Sequence, residues 1–210
     1  MSADRLTLQS LFSPAFPTGG FAYSHGLEAL VAEGRVRDAA ALSDWLGTVL
    51  GSGAGWTDAV LFAAAARGMA PAALDELARA LAGSAGRRRE TCDQGAAFAA
   101  ACRAVHGIDL PDMAWPVAAG RAVHLLGLEP EAALAAALLG VATALVGAGQ
   151  RLVPVGQVEG QRVIAALVPL CADLARRASD ADPDEIGGFA PLVDVACARQ
   201  ETLSTRLFRS

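Results

Sequence analysis

Ala22-Tyr23-Ser24-His25-Gly26 is one residue away from the G-x-S-x-G pattern in which a serine serves as nucleophile. That chemistry needs a strand before the serine, a sharp turn that exposes its hydroxyl, and a base within hydrogen-bond reach. Here Phe16-Pro17-Thr18-Gly19-Gly20-Phe21 precedes the serine; it is turn sequence, and the flanking chain reads as helix. His25 follows Ser24 directly, and adjacency alone does not aim a ring nitrogen at a hydroxyl. A small helical hydrolase using Ser24 and His25 is kept as the alternative reading. The second candidate is the stretch from Arg199 to Ser210. On a helix, Arg199, Thr202, Arg206 and Arg209 recur at i, i+3, i+7 and i+10 and share one narrow face, with Leu207 and Phe208 beside them as apolar anchors. Guanidiniums around an aromatic suit an acidic partner surface. The competing reading is a last helix whose arginines complement its dipole.

Other patterns carry less. His25, His106 and His124 are far apart, with no i, i+4 pair and no Glu-x-x-His, so no metal site is expected. Gly51-Ser-Gly-Ala-Gly55 has Trp56 where a dinucleotide loop needs its last glycine, and no strand precedes it. Arg87-Arg88-Arg89 is a short basic run in an acidic chain; an intramolecular pairing or a protein contact suits it better than nucleic acid.

Composition removes whole chemistries. All 17 basic residues are arginine, so the chain lacks the lysine of a P-loop and of a Schiff-base enzyme. Net charge is −5 and the pI is about 5.2, which disfavours nucleic acid and anionic membranes as partners. With 53% hydrophobic and 19% charged residues, the chain can bury a sizeable core. Cys92, Cys102, Cys171 and Cys197 form no C-x-x-C pair, and no signal peptide is read before them. Buried reduced thiols and a cytoplasmic location are the expectation.

The elements that must position these residues are helices. Alanine and leucine dominate, and glycine and proline punctuate. Ten helices are expected at roughly 4–12, 25–34, 38–51, 57–67, 71–82, 87–106, 115–127, 130–152, 159–178 and 191–207, with ends good to about 2–4 residues. Asp38, Pro71 and Pro130 are start signals, and Gly107 and Gly127 are stops. Short connections predict one all-α domain over 1–210, a single compact bundle with antiparallel neighbours. Ala132 to Gly149 is 18 residues without a charge, read as a core helix or a homodimer seam rather than a membrane span. Ser13 to Glu28 reads as a rigid aromatic loop, held by Pro14, Pro17, Gly19 and Gly20 and carrying the chain's one tyrosine, Tyr23.

Four segments together resemble the UreF family of urease accessory proteins. Ser13-Pro-Ala-Phe-Pro-Thr-Gly-Gly-Phe-Ala-Tyr-Ser-His-Gly-Leu-Glu28 is similar to the family's SPALPIGGFSYSQGLE. Arg88-Arg-Glu-Thr91 with Gly95 is similar to its RRET…G, and Val153 to Gln161 to its PLGQTDGQ. Arg199 to Ser210 is similar to its RHETQYSRLFRS. The departures are His25 for glutamine, Gln200 for histidine, and Leu203-Ser204 for Gln-Tyr.

The resemblance implies an all-α homodimer that binds the accessory protein UreD (also called UreH), recruits the GTPase UreG and helps deliver nickel to apo-urease. It implies an adaptor rather than an enzyme, with nickel in transit and no stably bound cofactor. The residues it singles out for partner binding are Pro17, Gly19, Gly20, Tyr23 and Glu28 in the loop, and Arg89 and Glu90 in the arginine run. Gln157 and Gln161 follow at the helix connection, where a polar passage, the dimer seam and simple capping all remain open. Arg199, Glu201, Thr202, Arg206, Phe208 and Arg209 complete the set as a C-terminal docking tail over 199–210.

Overall fold

The computed structural model describes residues 3–209, which form ten α-helices and, among the described residues, no strand. They are α1 (Ala3–Leu11), α2 (Leu27–Ala32), α3 (Ala39–Gly51), α4 (Ala54–Ala66), α5 (Pro71–Ala80), α6 (Ala85–His106), α7 (Trp115–Leu125), α8 (Pro130–Leu152), α9 (Gln157–Ser179) and α10 (Pro191–Gln200). Several starts are fixed by side chains. The Asp38 carboxylate accepts from the Ala41 amide at 2.9 Å, and the Ser84 hydroxyl from the Arg87 amide at 3.1 Å. Pro71, Pro116, Pro130 and Pro191 stand in first turns, where a missing N–H costs no helical bond.

The centre of the bundle is α4. Its residues from Ala59 to Ala66 are all buried, enclosed by α3, α5, α7, α8 and α9. Alanine on every side lets the neighbours come close. At the crossing of α4 and α7, a Cβ on Gly120 would lie 2.1 Å from the Phe62 carbonyl oxygen. At the crossing of α6 with the start of α7, a Cβ on Gly95 would lie 1.9 Å from the Met113 carbonyl oxygen. The Thr91 hydroxyl on the same helix accepts from the Trp115 amide at 3.2 Å. The spacing Thr91…Gly95 is therefore one docking device: a cap for the next helix and a notch for the chain that leads into it.

The helix that holds the uncharged stretch, α8, is apolar and long enough to cross a membrane, and half of its most apolar window is buried inside the protein. Its core face packs on α9, α4 and α3. Cys102, Cys171 and Cys197 are buried free thiols. Burial pushes the first two up to about 11, and Cys197 up to about 12 with Glu90 adding to the effect. All three are core residues that stay protonated at neutral pH.

The second helix begins at Leu27, within the expected margin, because His25 and Gly26 are both left-handed, with φ of 58° and 83°. One expectation needs correction. The last helix does not run to 207; it ends at Gln200. Beyond it the Thr202 hydroxyl bonds back to the Arg199 carbonyl at 2.8 Å, and Thr202-Leu203-Ser204-Thr205 is weak helix sequence. Arg199, Thr202, Arg206 and Arg209 therefore do not share a helical face.

Gly95→Ala should lower the unfolding free energy by about 1–3 kcal/mol or more, because the neighbour is backbone. Gly147→Ala, where an added Cβ meets nothing within 4 Å, should be neutral or raise it by about 0.5–1 kcal/mol. Urea denaturation of the two variants checks both.

Candidate functional site

Residues 23–28 link the loop, the helix bundle and the chain end. Tyr23 is extended and 4% exposed, and its hydroxyl donates to Asp93 of α6 at 3.0 Å. Burial raises the Tyr23 pKa, Asp93 adds to the shift, and the nearby Arg209 guanidinium opposes it. Ser24 is fully buried and donates to the Gln200 side-chain oxygen at 3.0 Å. His25 turns the other way, its Nδ1 lying 3.6 Å from Glu90. Gly26 then touches α10; a Cβ there would lie 2.8 Å from the Cys197 amide nitrogen. Left-handed backbone and lack of space both demand glycine at this point.

Glu28 completes the segment. Its carboxylate accepts from the Leu207 amide at 2.7 Å and the Phe208 amide at 3.0 Å. The Gln200 side-chain amide donates to the same carboxylate at 3.4 Å. One carboxylate so gathers the end of α10 and the tail, using charge-assisted hydrogen bonds. The Arg209 amide adds a bond to the Ala22 carbonyl at 2.8 Å. Phe208 is 2% exposed, with the Arg151 guanidinium 4.5 Å above its ring. Arg151 also donates to the Phe21 carbonyl at 2.8 Å. Upstream, Glu201 caps α6 by accepting from the Gly86 amide at 2.7 Å, and Arg199 pairs with Glu33 at 2.7 Å.

Beneath this latch lies an ionic cluster in which His25 and Glu90 are buried and Arg87 and Asp58 are largely enclosed. The Arg87 guanidinium of α6 bonds the Asp58 carboxylate of α4, and Glu90 accepts from Gln94 at 3.1 Å beside His25. Burial raises the Asp58 pKa against the pull of Arg87. Burial would lower Arg87, yet Asp58 and Glu90 hold it up. The two tendencies conflict, and the direct guanidinium–carboxylate contact decides for an ionised pair. The cluster faces a cleft of about 240 Å³ between α4, α6 and α10 on one side and a small cavity of about 50 Å³ beside Trp115 on the other.

The expected site residues divide by burial. Tyr23, Glu90 and Phe208 face inward, and Glu28 is half-buried on the tail. Pro17, Arg89, Gln157, Gln161, Arg199, Glu201, Thr202, Arg206 and Arg209 are exposed, and Gly19 and Gly20 are partly so. The structure joins Tyr23 and Glu28 of the loop to the tail. Gln157 and Gln161 stand apart on the outer side of α9. A nucleophile at Ser24 is not formed: the hydroxyl is enclosed and bonded to Gln200, and His25 faces Glu90. Among the described residues, no three His, Cys, Asp or Glu side chains are arranged to hold a metal ion. Sequence reasoning missed Asp58, Asp93 and Arg151. None lies in a motif, and only the tertiary fold brings them to their partners.

Arg87→Met alone should lower stability by about 1–3 kcal/mol by leaving the largely enclosed Asp58 carboxylate without its partner. Asp58→Leu combined with Arg87→Met should recover most of the loss. Chemical denaturation of the single and double variants measures the difference.

The family model described as UreF matches residues 36–168 of the chain. A urease accessory protein UreF of Cereibacter sphaeroides is 52% identical over 210 residues, spanning the whole of both chains. Proteins of the same name are 44% identical in Roseobacter denitrificans and 46% in Paracoccus denitrificans, covering 100% and 99% of this chain and 96% and 97% of theirs. The full-length alignment carries the likeness through the loop and the tail, both outside the stretch that the family model matches. The chain belongs to the UreF family of urease accessory proteins.

Proposed function

We propose that the chain is a cytoplasmic, non-enzymatic adaptor in urease maturation, binding UreD (UreH) and recruiting UreG so that nickel passes to apo-urease as cargo. The observation that carries this reading is the docked tail. Phe208 and the Leu207 and Phe208 amides are turned inward on Glu28 and Arg151, while Leu207 is 61% exposed, Arg206 is exposed, and the exposed Arg209 keeps its guanidinium beside the Tyr23 hydroxyl. Phe21, 73% exposed, sits on the strand of chain that Arg151 and Arg209 hold. Apolar side chains among guanidiniums, on a backbone already ordered, make a surface that binds an acidic partner without first losing loop entropy.

On this reading the arginines dock the partner and do not act on its nucleotide. A scaffold shifts a GTPase between nucleotide states only by the difference in its affinity for them, so docking alone is enough to gate UreG. A homodimer fits the same scheme. The half-buried face of α8 and the 12–14 turn border an open groove of about 570 Å³ lined by Leu8, Phe12, Ala136 and Leu139, which a second copy would fill.

Co-expression with UreD and UreG, in GTP or GDP with magnesium, tests the proposal by size exclusion. The full chain together with UreD should hold UreG, and removal of residues 199–210 should release at least one partner. No complex in either nucleotide state would overturn it.

A further inference from the structure

The other end of α10 carries a surface of opposite character. Phe189 is 84% exposed, Leu192 55% and Val195 44%. Leu192 and Val195 stand three apart on the same outward face of α10. Phe189 precedes the helix cap, Ala190, where an apolar residue normally staples to the fourth helical position. That position is Asp194, so the phenyl ring has no staple and is left in water. Leu81, 44% exposed, borders the same cleft as Ala190 and Asp194.

The surroundings are acidic. Residues 180–195 carry Asp180, Asp182, Asp184, Glu185 and Asp194 and no basic residue, and the Arg67 guanidinium seated against the start of the segment is engaged by the Ser179 and Ala181 carbonyls. All five are exposed, and among the described residues none is ion-paired. The tail at the far end of α10 has three arginines and one glutamate over 199–209. The helix between them is about 15 Å long at 1.5 Å per residue. Each end therefore selects partners of the opposite charge, and like charge excludes the partner of the other end.

We propose that Phe189, Leu192 and Val195, in the acidic segment that carries Asp180, Asp182, Asp184, Glu185 and Asp194, form a second docking surface, for a protein partner that presents basic residues around apolar side chains. The proposal rests on the adaptor reading and adds that two partners of opposite charge bind at the two ends of α10. Nucleic acid and anionic lipid are repelled by the same carboxylates.

The test uses the full chain with purified UreD and UreG, in three forms: wild type, Phe189→Ser with Leu192→Ser, and Asp180→Arg with Asp184→Arg. All the altered side chains are exposed, so thermal melts should match the wild type. Each double variant should bind one of the two proteins at least about tenfold more weakly and keep the one that depends on the tail. Raising salt should weaken the wild-type contact and leave the charge-reversed variant little changed. Wild-type affinity of both variants for both proteins would overturn the second surface while leaving the adaptor reading intact. Loss of the same protein that tail removal releases would show one surface rather than two and would also overturn it. A wild-type chain that binds neither protein would overturn the adaptor reading and this proposal with it.

Discussion

Six consecutive residues are each committed to a different part of the molecule, and the chain end depends on all of them. Tyr23 reaches α6, Ser24 the last residue of α10, His25 the buried Glu90, Gly26 the backbone of α10, Leu27 the core, and Glu28 the tail. Two successive left-handed residues make this possible by reversing the chain between inward contacts. The arrangement costs backbone strain at His25. It is held because the contacts on either side fix the turn.

The polar contacts lie inside a bundle whose core is mostly alanine, leucine and valine. In such surroundings a buried donor or acceptor without a partner costs more than a made hydrogen bond returns. The network from Asp58 through Arg87, Glu90 and His25, and from Ser24 through Gln200 to Glu28, keeps these groups partnered across α4, α6 and α10. It also ties the tail to the core. Displacing the tail would uncover the Glu28 carboxylate and the Gln200 amide together, so its release is linked to the packing of α2 and α10.

The helices were largely legible, because alanine-rich periodicity, proline starts and glycine stops are local signals. Asp38, Pro71, Pro130, Gly107 and Gly127 all mark real ends. The tail was misread as helix because i, i+3, i+7 spacing of arginines says nothing about the Glu28 carboxylate that competes for its amides. Gln200 stood out only as a departure from the family pattern, yet it is fully buried and bridges Ser24 and Glu28. Glu90 and Tyr23 were found by motif as partner-binding residues, and the fold encloses both. Burial is a property of the packed bundle, and no residue type states it. The loop and tail motifs were recognisable one by one; their contact, across about 180 residues of sequence, is a tertiary fact.

The central claim is that Glu28 holds the C-terminal tail on the free chain. Hydrogen exchange at the Leu207 and Phe208 amides, compared between the wild type and Glu28→Ala, tests it most directly. Both amides should be protected in the wild type and exchange about tenfold faster or more in the variant, with α4 amides unchanged. Equal exchange in the two proteins, or free exchange in the wild type, would contradict it.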